Sequence, residues 1–210
     1  MLRKGRKGIT HARGRERRQQ LLDAAKALLQ ERRLDEIALT DVAAEADIPK
    51  SSAYHFFPDL NALYAELAAG EDADLNVILS EPLESVAEWK DIVQTIIGRA
   101  ATYFRANRSA QQLMFGPTTP PDIKRSSRSA DLRHGAVMAD QIKLQFQLSD
   151  FPDQDRIFFR AVEIIDLMFG LSLLEFDELR DEMIDEAYRA AVAYLSIYLP
   201  PQLPRITPAP

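Results

Sequence analysis

The chain has 210 residues, of which 46% are apolar and 28% charged, with a net charge of −6; that is the composition of a soluble globular protein long enough to bury a real core. The absence of cysteine excludes disulfides, thiolate redox chemistry and cysteine-ligated zinc. The most apolar stretch, 157–176, is broken by Arg160, Glu163, Asp166 and Glu175, too many charges for a membrane span.

Residues 1–14 set Gly5, Gly8 and Gly14 among basic side chains and read as a flexible basic arm. An apolar stripe of Leu21, Leu22, Ala25, Leu28 and Leu29 predicts a helix from about Arg15. Thr40 as N-cap and Asp41 in the first turn open a short helix that ends near Asp47. Pro49 starts a third helix over about Lys50 to Phe56. Pro58 stops that one and opens a fourth carrying Leu60, Leu63, Tyr64 and Leu67. The helical pattern persists over Leu83 to Arg105 and Ser109 to Phe115, breaks at 116–121, and resumes over Ile123 to Leu148, Asp153 to Phe176 and Glu178 to Leu199. Residues 200–210 hold five prolines and read as disordered. The expected fold is all-α: a three-helix domain over 15–64 and a helical bundle over 65–199.

Charge is unevenly spread along these elements. Met1 to Tyr64 carries 12 Lys and Arg against 9 Asp and Glu, whereas the remainder carries 14 against 23. Positive charge at one end suits a polyanion such as nucleic acid, and the acidic remainder should face away from it. The two short helices over 39–57, joined by a tight turn, have helix-turn-helix architecture. In that arrangement the second helix enters the major groove of double-stranded DNA. Thr40, Lys50, Ser51, Ser52, Tyr54 and His55 are the candidate DNA contacts, while Ala43, Ala46, Ile48, Ala53 and Phe57 can pack inward. The basic residues from Arg3 to Arg18 either track DNA or are a solvated tail.

The stretch from about Arg17 to Leu67 resembles the DNA-binding domain of the tetracycline-repressor (TetR) family. The matching positions are Ile48, Pro49, Ser52, Tyr54, His55, Phe56, Phe57 and Leu63. Asp47 replaces the usual turn glycine, Ser51 a glycine of the recognition helix, and Leu60 a lysine. Asp tolerates a left-handed turn, so the first departure is mild. The resemblance implies a ligand-responsive transcriptional regulator, a repressor released from its operator when a small molecule fills the C-terminal domain.

Three further expectations concern that C-terminal domain. Trp89, Phe104, Phe115, Met138, Phe146 and Met168, with His134 as polar contact, are candidate lining residues for a mainly apolar effector, unless they are plain core. The basic run Lys124, Arg125, Arg128 and Arg133 could receive an anionic end of that effector or simply be solvated. The helix over 157–176 is apolar on nearly all sides, which calls for a second covering. A homodimer seam is therefore expected at Phe158, Ile165, Gly170, Leu174, Ala187, Ala191 and Tyr194. His11, His55 and His134 share no ligand spacing, so neither metal nor cofactor is expected. No nucleophile–base pair accompanies the abundant carboxylates, so the chain does not read as an enzyme. The rival reading is a helical-bundle carrier or enzyme whose helix-turn-helix is incidental. No apolar leader follows the basic N-terminus, and the chain reads as cytoplasmic.

Overall fold

The computed structural model describes the backbone of residues 4–206 and the side chains from Ala12 to Ile206. Within it the chain forms α1 (Lys4–Glu31), a single 3-10 turn (Leu34–Glu36), α2 (Leu39–Glu45), α3 (Lys50–Phe56), α4 (Leu60–Ser80), α5 (Trp89–Ala106), α6 (Arg108–Phe115), α7 (Pro121–Gln145), α8 (Gln154–Phe176) and α9 (Asp181–Leu195). The described residues contain no β-strand, and the fold is all-α.

Three local expectations need correction. α1 begins at Lys4, so residues 4–14 are helical where a flexible arm was expected. Lys and Arg are good helix formers, and extending an existing helix needs no new nucleus, which outweighs the glycines. Thr40 is not the cap of α2: the helix starts one residue earlier, and the Asp41 carboxylate reaches back to accept the Ala38 N–H at 2.9 Å. The Pro-rich tail is ordered over 200–206. Gln147 donates its backbone N–H to the Pro204 carbonyl at 2.7 Å, and Ile206 donates to Gln145 at 3.0 Å. The Trp89 indole N–H donates to the Pro200 carbonyl at 3.0 Å, and Arg205 lies over the Phe146 ring.

Two apolar cores organise the chain. Leu21, Ala25 and Leu29 of α1 meet Val42, Ala43, Ala53 and Phe57 and the first half of α4 through Leu63, Tyr64 and Leu67. The second half of α4 carries Leu75 and Leu79 into a larger core with α5, α7, α8 and α9. α4 therefore runs unbroken through both, across position 64 where the sequence suggested a domain boundary. Leu113 of α6 and Ile123 of α7 are buried in the N-terminal core, so the two halves share side chains. Arg99 closes the C-terminal end of α4 by donating to the Glu81 carbonyl at 2.6 Å and to Pro82 at 3.0 Å.

α7 and α8 approach most closely at Gly135. A Cβ there would lie 2.7 Å from the Phe159 backbone nitrogen and 2.9 Å from the Phe158 carbonyl carbon. Backbone cannot step aside as a flexible side chain can. Gly135→Ala is expected to destabilise the fold by about 1–3 kcal/mol. Gly98→Ala, in a helix interior with nothing within 4 Å of the new Cβ, should instead stabilise by about 0.5–1 kcal/mol through helix propensity alone. Urea midpoints of the two variants check the opposite signs.

Candidate nucleic-acid interface and internal cavity

Asp47 adopts φ 51°, the left-handed conformation the turn between α2 and α3 requires. The Ile48 N–H then closes on the Ala43 carbonyl at 2.9 Å. This turn buries Ile48, Ala53 and Phe57 and leaves Lys50, Ser51, Tyr54 and His55 exposed together on one side of α3. Ser52 is half-buried at the edge of that surface, and Thr40 is half-buried on α2. Lys50 Nζ lies 5.9 Å from the Tyr54 ring centroid, so the two side chains are neighbours. Lys50, Ser51, Tyr54 and His55 thus share α3's outer face, with Ser52 at its edge.

Arg18 has a different role from the other bases of the N-terminal segment. Its guanidinium donates to Glu66 Oε1 at 2.9 Å and to the Phe56 carbonyl at 2.9 Å, and it stacks 4.3 Å over the Phe57 ring. It clamps α1 to the end of α3 and to α4, and its donors are committed within the protein.

In the C-terminal half a cleft of about 2160 Å³ opens between α4, α6, α7 and α8. Phe104, Phe115 and His134 of the expected set line it. Trp89, Met138 and Phe146 do not: they are buried in the larger core, and Met168 packs against that core. They are long apolar side chains on faces that a bundle must fill. Phe104, Phe115 and Phe169 meet edge to face, with centroids 4.8–6.1 Å apart. Lys124, Arg125 and Arg128 reach the cleft only at its exposed rim. Deeper polar lining comes from Asp72, Asp131, Glu163 and Asp166, joined by Ser127. Burial first, then neighbouring Asp131, pushes the Asp72 carboxyl up to about 6. Burial, Asp131 and Glu163 hold Asp166 well above the usual carboxylate range. The signal for buried acid was present in one place. Glu71 and Asp72 fall on the helical stripe that also carries Leu67, Ala68 and Leu75, where a solvated face would not lie.

α6 joins the cleft to the N-terminal half. Met114 and Phe115 line the cleft, while Gln112 on the preceding turn donates to the carbonyls of Leu29 at 2.7 Å and Arg32 at 2.8 Å. The same side chain accepts the Leu34 N–H at 2.8 Å. A bound group that displaced α6 would therefore pull on the end of α1.

The expected dimer seam divides in two. Phe158, Ile165, Ala187 and Ala191 are buried within their own chain and cannot meet a partner; the apolar faces of α8 and α9 are largely spent on each other. Leu174 remains 68% exposed, Tyr194 half-buried, and Gly170 faces open space. On α8, Leu167, Gly170 and Leu174 border the cleft, whereas Tyr194 packs against exposed Tyr198, next to exposed Ile197, at the end of α9. Among the described helices none is long and apolar enough to cross a membrane.

Residues 21–67 match the family described as bacterial regulatory proteins, tetR family. Residues 87–199 match the tetracyclin repressor-like C-terminal domain. No curated protein matches the chain. Among solved structures, a TetR-family transcriptional regulator from Streptomyces coelicolor is 23% identical, with 87% of this chain and 99% of that one covered at a TM-score of 0.69. A TetR regulator from Rhodococcus sp. RHA1 is 17% identical over 88% of this chain and 98% of its own, at 0.67. FadR of Thermus thermophilus, a repressor solved with lauroyl-CoA, is 19% identical over 92% and 98%, at 0.58.

Proposed function

The chain belongs to the tetracycline-repressor family, and from that premise we propose that it is a ligand-responsive transcriptional regulator, a homodimer that holds operator DNA and releases it when a small molecule fills the C-terminal cleft. The observation that carries this reading is the Gln112 tether. One short helix presents Met114 and Phe115 to the cleft and grips the N-terminal half through three backbone groups. The ligand acts by its difference in affinity between the conformer that fits successive major grooves and the one that does not. The protein works by binding, without catalysis, and in the cytoplasm where its DNA is. Lys50, Ser51, Tyr54 and His55 make the principal DNA contacts, with Ser52 at their edge and Thr40 on α2. A carrier or enzyme with an incidental helix-turn-helix is disfavoured by family matches over both halves.

Selection of bound fragments from a genomic DNA pool tests the reading. A reproducibly enriched inverted repeat is expected, and enrichment of no sequence would overturn it. The proposed dimer seam is the exposed set Leu167, Gly170, Leu174, Tyr194, Ile197 and Tyr198, of which the three on α8 also border the cleft. Ile197, 72% exposed, and Leu167 are apolar groups that a monomer would leave in water. Lysine at both positions is expected to give a folded monomer by light scattering with operator affinity reduced at least about tenfold, because one recognition helix then binds alone. A dimer in the double variant would move the seam elsewhere.

A further inference from the structure

We propose that the cleft takes an organic cation, an amine carried on an apolar body, whose charge sits among Asp72, Asp131, Glu163 and Asp166. This names the effector of the regulator proposed above and rests on that reading. The four carboxylates come from three helices, α4, α7 and α8, and line one space. Little inside compensates them. Arg128 reaches Glu163 at 3.3 Å from an exposed position, and His134 Nδ1 stands 3.5 Å from Asp131. The remaining bases around the cleft lie at its mouth, where Arg105 is already committed to the Leu179 carbonyl and to Asp181. The buried lining is thus acidic, whereas the exposed rim carries both signs, with Lys124, Arg125 and Arg180 beside Asp35, Glu175 and Glu178. An anionic group would be repelled from that acidic interior, so a cation is preferred here to the anionic end first expected.

Unpartnered polar atoms supply a second, independent observation. Ser127 and His134 line the cleft at 8% and 4% exposure, and Ser127 Oγ and His134 Nε2 are buried with no hydrogen-bond partner in the protein. Glu163 Oε1 is likewise buried and unpaired. Native proteins satisfy nearly all buried polar atoms, so three orphans around one cavity point to a missing partner. A carboxylate oxygen only accepts, so that partner must donate. An ammonium group has several N–H donors, carries the compensating charge, and suits acceptors on two sides. Phe104 and Phe115, which meet edge to face at 4.8 Å, supply an apolar wall for the rest of the molecule. No group of three or more His, Asp or Glu among the described residues is arranged to hold a metal ion, so the fit is to an organic cation. Burial and mutual repulsion hold the Asp72 and Asp166 carboxyls above the ordinary range, and a cation bound among them would draw both back down.

Calorimetric titration of the full chain with 4-phenylbutylamine, 4-phenylbutanol and 4-phenylbutyrate, which share one apolar body, tests this at neutral pH. The amine is expected to bind at least about tenfold tighter than either of the others. Glu163→Gln, at a half-buried position that tolerates the change, and Asp131→Asn should each weaken the amine about fivefold or more and leave the alcohol unchanged. Arg128→Ala, which frees Glu163, should tighten it. Equal or tighter binding of the carboxylate, binding of none, or variants that shift all three compounds alike would overturn the proposal. Sequence-specific DNA binding by the same preparation separates the two readings. Intact DNA selection without amine preference removes the ligand class alone, whereas failure of DNA selection removes the regulator.

Discussion

Glu71→Ala is expected to lower stability by about 3 kcal/mol, the largest loss from any single polar side chain in the molecule. Glu71 is buried where α1, α4, α5 and α6 meet. It accepts from the Tyr103 hydroxyl and from Ser109 Oγ at 2.9 Å, and Lys26 Nζ stands 3.0 Å away. Removing one partner of a buried, hydrogen-bonded ion pair typically costs about 3–5 kcal/mol, because the other is left uncompensated. Lys26 is partly exposed and water can reach its ammonium, which sets the expectation at the low end of that range. Burial and the bond to Glu71 also hold the Tyr103 phenol above its ordinary range, so it remains a donor at every working pH. Glu71→Gln keeps the shape and an acceptor for Tyr103 and should lose only about 1 kcal/mol. Urea unfolding with an unchanged slope measures both; an Ala variant within about 0.5 kcal/mol of the parent would show that the network carries little stability.

The second large effect concerns DNA. Tyr54→Ala and Lys50→Ala are each expected to weaken operator binding by about 1–3 kcal/mol. Both side chains are exposed on α3 and neither supports the N-terminal core, so circular dichroism and thermal midpoint should not move. Lys50→Ala should also reduce the slope of log affinity against log salt by about 1, if the ammonium meets a phosphate. Because the two lie side by side, the double variant should lose less than the sum of the singles. Arg18→Ala should behave differently, losing stability through the α1–α4 clamp while leaving the salt slope alone. Operator affinity unchanged in both α3 variants would remove α3 from the DNA contact.

Much of this molecule is visible in residue spacing. α3 begins and ends where Pro49 and the Phe56-Phe57-Pro58 block suggest, since those residues act through local sterics. The long helices appear within a few residues of their apolar periodicity. What escapes is whatever depends on where two distant surfaces meet. Periodicity shows that Phe158, Ala187 and Ala191 are inward-facing, but not whether inward means their own chain or a partner's. Trp89 and Met138 could not be told from Phe104 and Phe115, because lining a cleft and filling a core need the same apolar surface. The acids escape for the opposite reason. Asp131 and Asp166 resemble any solvated helix face until α4, α7 and α8 close around them. The tail was misread because its prolines suggest disorder, whereas its order comes from carbonyl acceptors that proline retains and from Leu203 packing on the larger core.

That tail has a consequence for how the chain is made. The N-terminal core draws on residues 21–68 with only Leu113 and Ile123 added from later in the chain, so most of it can assemble while synthesis continues. The larger core is closed by its last contributors. The Trp89 indole stays without its acceptor, and the edge at 145–147 without its partner, until residues 200–206 have emerged from the ribosome. Contacts spanning more than a hundred residues must wait for their second half, and such long-range closure is slow. A nascent chain paused short of Pro200 would therefore hold a finished DNA-reading head on an unsealed bundle, with Phe146 and Trp89 offered to whatever chaperone or protease is near.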